Sequence, residues 1–367
     1  MASQAHEADP GPGSAPRTRQ SRLHGLDVAR ALAVIGMITV HFGSAASESP
    51  GVWKALYAIP TGRSALLFIV LAGIGVSLMD SRMPEAGRAK LWWRLGIRGL
   101  ILLPLGLALQ FLDPGVNVIL QFYALYFVVA AMVVRARSRT LLLASLISAV
   151  VAPVGYLSAW FARPAWFASE APTLGDSPMA IIRELVLTGA YPVLTWSGPL
   201  LFGLWLGRQD LRASRVRLRM VAGGAGVAAA AWALSTALVT MVGAPGEEPS
   251  WRQLLTDDPH GQMPLWLIGS TAAAVMLIGL ALETTDRWSL ATWPAVTVGQ
   301  MALTVYVGHL LLLAWWPDLV RHDDPGAAAV SVGLFTLVAT LACGVWRRRF
   351  ARGPLEAVLR TATTPRR

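Results

Sequence analysis

Charge is scarce in this chain. Only 14% of its 367 residues are Asp, Glu, Lys or Arg, while 54% are hydrophobic; soluble proteins carry about a quarter charged residues. With a mean hydropathy of +0.52, too little polar surface remains to cover a water-facing globule. The composition therefore excludes a soluble enzyme and fits a polytopic membrane protein. Cysteine is almost absent: Cys343 stands alone, which excludes a disulfide framework and a cysteine-based metal site. The chain also lacks a Walker loop, a G-x-G-x-x-G after a strand, an H-E-x-x-H or other clustered metal site, and a G-x-S-x-G elbow. Nucleotide hydrolysis, metal-dependent hydrolysis and serine-nucleophile chemistry thus have no motif. No internal repeat and no separate soluble domain is visible.

What the chain does have is apolar runs. A membrane helix needs about 20 apolar residues, and ten candidate spans meet or approach that length: 26–43, 64–79, 92–112, 116–134, 140–161, 191–206, 220–242, 264–282, 296–316 and 327–346. The second and sixth are short. Placing the N-terminus in the cytoplasm puts 25 of the Lys and Arg residues on inner segments and 6 on outer ones. That asymmetry is the positive-inside pattern. Acidic residues lean the other way, so inner segments total +16 and outer segments −6. The expectation is an all-α, polytopic helix bundle with about ten spans and both termini cytoplasmic, in a bacterial cytoplasmic (inner) membrane. The net charge of +10 is then a topology signal and implies no nucleic acid. Residues 1–22, rich in Pro, Gly, Ser and Ala, read as a disordered cytoplasmic tail, 23–346 as the transmembrane bundle, and 347–367 as a basic cytoplasmic tail. Two outer loops have content: 162–190, with a short interfacial helix expected over 178–188, and the acidic, turn-rich 243–263.

Titratable side chains inside hydrocarbon ask for an explanation. In the first span Arg30 and His41 are eleven residues apart, three helical turns plus about 20°, so both point the same way and stand about 16 Å apart along the axis. Asp27 falls near that face, and as an i,i+3 partner of Arg30 it also fits a plain charge anchor. In the ninth span His309 lies about 24 Å beyond Trp293, and His41 lies about 22 Å beyond Leu26, by the rise of a straight helix. The two membrane histidines therefore sit at matching depth in the outer third, with Tyr306 one turn before His309. Arg63, Gln110, Gln121, Tyr191, Thr195 and Trp196 gather at the same level, where each also fits an interfacial anchor. On the inner side, Arg94, Arg98 and Arg208 fit the positive-inside pattern and equally the reception of a phosphorylated ligand, since guanidinium forks match phosphate oxygens. Arg98 lies deepest.

These residues sit in recognisable surroundings. LDVARALAVIGMITVHFG resembles the first-helix signature of integral-membrane acyltransferases, an arginine followed eleven positions later by a histidine. GRSALLFIVLAGIGVSLM, VNVILQFYALYFVV, TGAYPVLTWSGPLLFGLWLGRQDL, VGQMALTVYVGHLLLL and GPLEAVLR resemble, in order, the bacterial YeiB-like branch related to heparan-alpha-glucosaminide N-acetyltransferase. One departure is Arg30-Ala31, where the signature commonly has arginine-glycine. The resemblance implies transfer of an acyl group, usually acetyl, from cytosolic acyl-CoA (acetyl-CoA) to an extracytoplasmic acceptor, often a glycan. It makes Arg30 and His41 the signature pair and His309 the histidine of the late helix. The partners implied are membrane lipid, acyl-CoA and a glycan or small-molecule acceptor, with no metal. His41 could serve as a base or carry the acyl group itself, and His309 could orient it or stabilise an oxyanion. The rival reading is a proton-coupled small-molecule transporter with the histidines as relay. Its usual sign, short spans at corresponding places in two halves, is missing here.

Overall fold

The computed structural model describes residues 22–43, 51–84, 87–168, 171–246 and 248–364. The expected tail over residues 1–21 lies outside them. The described chain is all-helical: α1 (His24–Phe42), α2 (Val52–Ala58), α3 (Arg63–Asp80), α4 (Arg88–Phe111), α5 (Phe122–Val133), α6 (Ser138–Ala162), α7 (Pro178–Arg183), α8 (Val193–Leu206), α9 (Ser214–Val242), α10 (Pro264–Arg287), α11 (Ser289–Gln300), α12 (Ala302–Trp315), α13 (Pro317–Val320), α14 (Pro325–Arg349) and α15 (Pro354–Thr363). Among the described residues, seven helices are long and apolar enough to cross a membrane. Two bent pairs, residues 178–206 and 289–315, raise that number to nine if each counts as one span, and α5 is a further apolar helix of 12 residues. The protein is a multi-pass membrane protein.

Burial follows from which face meets hydrocarbon. Helices α6, α9 and α14 expose rows of large apolar side chains, such as Leu143, Ile147 and Val151 on α6 and Leu334, Val338 and Leu341 on α14. In water those rows would be a liability; against lipid they are the expected surface. Helix α1 lies inside, packed against α3, α10, α11, α12 and α14. Arg22, Arg94 and Arg360 line one recess and Arg208 the recess beside it, which together make a basic end. The loops with Asp257, Asp258, Asp323 and Asp324 lie at the opposite end.

Three expectations about the spans need correction. The fourth begins late: residues 116–121 are irregular, after left-handed Asp113 (φ 48°) and Gly115 (φ 62°) at the Pro114 turn. Buried non-helical backbone is tolerated only if its polar groups find partners. Gln110 supplies them, donating to the Val116 carbonyl and accepting from Val118 N–H, while the Tyr306 hydroxyl accepts from Ile119 N–H. The ninth span is not straight but bends by 68° between α11 and α12, so depth reckoned along one rod from Trp293 to His309 does not hold. Finally, 347–367 is not simply a tail: α15 folds back, and Leu355 and Leu359 pack against the bundle core. The short helix expected over 178–188 is present as α7 followed by a π turn, Glu184–Thr188.

Candidate active site

The basic end carries a cavity of about 520 Å³ lined by Arg22, Arg30, Arg82, Arg94, Arg98 and Arg360 around one carboxylate, Asp27. Asp27 is fully buried and saturated. Arg22 grips both its oxygens through Nε (2.7 Å) and Nη2 (2.8 Å), Arg30 Nη1 donates at 2.7 Å, and Gln300 Nε2 at 3.3 Å. The fit between α1 and α11 that allows this is close. A Cβ at Gly299 would stand 1.7 Å from the Asp27 carbonyl oxygen, so a residue with a side chain there would push Gln300 off the carboxylate. Arg98 has the opposite situation. Its Nε is buried with no hydrogen-bond partner, and Arg30, Arg94 and Arg360 are near enough to repel it. A pocket of guanidinium groups, one with a buried unpartnered donor, suits a multiply charged phosphate ligand.

Above this pocket the Arg30–His41 face of α1 meets α12. His41 Nδ1 and His309 Nε2 are 2.9 Å apart and hydrogen-bonded, with the rings stacked at 5.2 Å and 22°. Both rings are buried, His309 completely and His41 with 7% exposure. His309 Nδ1 is buried with no hydrogen-bond partner. The Tyr306 ring meets His309 edge-on at 4.9 Å. Tyr123 on α5 has a buried hydroxyl with no partner, within electrostatic reach of both Arg30 and Tyr306. The Gln300 Oε1 is likewise buried and unpartnered.

On the far side, two charged or polar groups act on His41 from loops, Arg321 and His260. Arg321 donates to the carbonyls of Pro114 and Gly115, at 2.9 Å each, and so anchors the irregular stretch before α5. His260, left-handed at φ 60°, stacks near Trp196 and Trp266, with both centroids 6.2 Å away. Burial pushes its imidazole down to about 4. Gln262 locks the cluster: its Oε1 accepts from the Thr195 hydroxyl (3.0 Å) and from Trp196 Nε1, and its Nε2 donates to the Ala190 carbonyl (3.0 Å).

The structure therefore brings Arg30, Arg94 and Arg98 into one pocket and His41, His309 and Tyr306 into one contact group. It does not bring Arg208 into that pocket. Arg208 lies in the neighbouring recess, which shares Leu23, Leu78, Arg82 and Met83 with it, and donates to Ser138 Oγ and the Val134 carbonyl across the ends of α5 and α6. Gln110 and Gln121 sit at the loop before α5, Gln121 buried with Oε1 unpartnered. Arg63 pairs with Asp257 at 3.3 Å. Tyr191 accepts a hydrogen bond at its carbonyl from the Tyr126 hydroxyl and, with Thr195 and Trp196, walls the His260 cluster. Missed by sequence reasoning were Arg22, Arg82, Arg360, Gln300, Tyr123, His260 and Gln262. Only His260 carried a usable signal, a histidine in the acidic, turn-rich loop over residues 243–263.

Set beside known families, residues 22–239 match the family model described as heparan-alpha-glucosaminide N-acetyltransferase, catalytic. Residues 206–366 match a protein family of unknown function (DUF418). The first match takes in Asp27, Arg30, His41, Arg98 and Tyr123; the second takes in His260, His309 and Arg360. No curated protein matches the chain.

Proposed function

Because the chain belongs to the heparan-alpha-glucosaminide N-acetyltransferase catalytic family, whose model covers more than half of it, we propose that it moves an acyl group, acetyl in the simplest case, across the membrane. The donor is acyl-CoA bound at the basic end, taken as cytoplasmic. The acceptor is a hydroxyl or amine, on a glycan or small molecule, arriving from the opposite side. The observation that carries the reading is that α1 ties two sites together: its inner end, with Asp27 and Arg30, lines the six-arginine pocket, and further along the same helix His41 is hydrogen-bonded to His309. Phosphates of the donor occupy the guanidinium forks, and its extended arm follows the Arg30–His41 face, about 16 Å along α1. In this reading Gln300 Oε1 and the Tyr123 hydroxyl, both buried and unpartnered, meet amide groups of that arm.

In this reading His309 carries its proton on Nδ1, so that its Nε2 accepts from His41 Nδ1–H across the 2.9 Å contact. The His41 Nε2 lone pair is then the reactive one. The acceptor O–H or N–H attacks the thioester carbon, the new C–O or C–N bond forms and the C–S bond breaks. His41 takes the proton from the attacking group and returns it to the departing thiolate. His309 holds the imidazole in place and shares the positive charge that develops on it.

The test uses purified protein with radiolabelled acetyl-CoA, and the labelled acceptor as readout. His41→Ala is expected to abolish transfer while acetyl-CoA still binds. Label accumulating on wild-type protein without acceptor would mark His41 as the acyl carrier instead of the base. Transfer persisting in His41→Ala would remove it from the chemistry. A wild type that binds no acyl-CoA but couples solute flux to protons would replace acyl transfer with transport.

A further inference from the structure

The bend between α11 and α12 has an unusual cap. Leu303 and Thr304 lie in the first turn of α12, where backbone N–H groups lack helical partners. Glu356 of α15 takes both, its Oε1 accepting from Leu303 N–H at 2.8 Å and Thr304 N–H at 3.1 Å, while its Oε2 accepts from the Thr304 hydroxyl at 2.6 Å. Thr304 Oγ1 in turn accepts from Leu355 N–H at 3.3 Å, in the first turn of α15. The two helix starts thus cap each other. Gly353 permits the approach: a Cβ there would stand 2.1 Å from Glu356 Oε2 and 3.0 Å from Thr304 Oγ1. One turn after Glu356, on the same face of α15, Arg360 lines the arginine pocket, followed by Thr363. In the other direction, His309 lies six residues beyond Leu303, about 9 Å along α12.

We propose that α15 is a clamp that couples the donor pocket to the histidine pair: donor phosphates engage Arg360 and hold α15 down, and Glu356, a positioning residue, thereby fixes the start of α12 and the place of His309 against His41. The clamp rests on the acyl-transfer reading for its ligand and purpose. Its geometry does not.

Steady-state kinetics with acetyl-CoA separate the two ends of the clamp. Arg360→Ala is expected to raise the donor KM about tenfold through the loss of one charge-assisted contact, and to lower kcat as well, because the bound donor no longer holds α15 against α12. Glu356→Ala is expected to lower kcat about tenfold or more with donor binding little changed. Glu356→Gln, whose amide oxygen still accepts from both N–H groups, should restore most of it, and Thr304→Val, which removes only the hydroxyl contacts, should fall between if Glu356→Ala does not fold. Amide hydrogen exchange supplies a readout independent of turnover. Leu303 and Thr304 should exchange faster in Glu356→Ala, and should slow when acetyl-CoA is added to wild type but not to Arg360→Ala. Parallel loss of kcat, donor binding and melting temperature in Glu356→Ala, unrescued by Glu356→Gln, would reduce Glu356 to a structural residue and overturn the proposal. So would exchange at Leu303 and Thr304 that ignores bound donor while wild type still transfers acetyl, a result that leaves the functional reading standing. A wild type that binds no acetyl-CoA would instead sink the functional reading, and the clamp with it.

Discussion

His260 offers a quantitative test of the far-side cluster. Its imidazole is pushed from the ordinary 6.5 down to about 4 by burial among Tyr191, Trp196 and Trp266. The unfolded chain therefore binds a proton at this residue across the window from 6.5 down to 4, and the folded chain does not. Stability rises with pH wherever the unfolded state holds more protons. The contribution of His260 is thus fully present above about pH 7 and is lost as pH falls through that window. Integrating over the window gives about 2 kcal/mol lost between pH 7.5 and pH 5, approaching about 3 kcal/mol at pH 4. Asp257, held above the usual carboxylate range chiefly by burial, runs in the opposite sense at the acid end, so the wild-type curve alone cannot isolate the histidine. The comparison with His260→Gln does. Glutamine does not titrate, and the difference between the two proteins in unfolding free energy should shrink in the wild type's disfavour by about 2 kcal/mol from pH 7.5 to pH 5. The assay is denaturant or thermal unfolding of the purified protein in one detergent at a series of pH values. Parallel curves for the two proteins over that range would refute the claim that His260 is held neutral by its enclosure.

The other predictions concern the histidine pair and the arginine pocket. His309→Ala is expected to lower kcat about a hundredfold by leaving His41 unsupported, with the donor KM unchanged; full activity in steady-state assays would show that the pair is packing alone. Asp27→Asn removes a fully buried carboxylate that accepts from Arg22, Arg30 and Gln300. Since both arginines keep partial exposure, the cost should be about 2–3 kcal/mol, below that of breaking a wholly buried pair, read from unfolding in detergent. Arg98→Gln is expected to weaken acetyl-CoA binding about tenfold without lowering the melting temperature of the ligand-free protein, because it removes a buried, repelled charge; calorimetric titration and a thermal scan check the two halves.

Most of the fold was legible because lipid imposes one rule on every span, and apolar length reports it. The departures occur where side chains satisfy backbone that lipid cannot. Gln110 and Tyr306 allow residues 116–121 to stay irregular, and Glu356 allows α12 to begin afresh after Gln300. Neither is visible in hydropathy, since each depends on a polar group distant in the chain. In the site, the Arg30–His41 face was legible because both residues belong to one helix. The meeting of His41 with His309 was suggested by equal depth, yet the depth itself was reckoned along a rod that bends. Arg22, Arg360 and Tyr123 were not legible: each reaches the site from a segment read as tail or as an apolar run.

The bend also explains why the site can combine a saturated carboxylate with unsaturated cations. Were the ninth span straight, Gln300 would continue the rod; ending α11 there turns its amide onto Asp27 while Gly299 closes on the α1 backbone. Asp27 then has no capacity left for Arg94, Arg98 or Arg360. The remaining guanidinium groups repel one another in a partly desolvated pocket, an arrangement that weakens the ligand-free protein. Its compensation comes from binding, since a ligand that pairs with those groups only in the folded state stabilises that state in proportion to the logarithm of its concentration. A multiply phosphorylated donor meets that description, and a singly charged solute does not: it would leave most of the cluster unpaired. The charge balance of the pocket therefore favours a multiply phosphorylated ligand over a singly charged one, independently of the histidine pair.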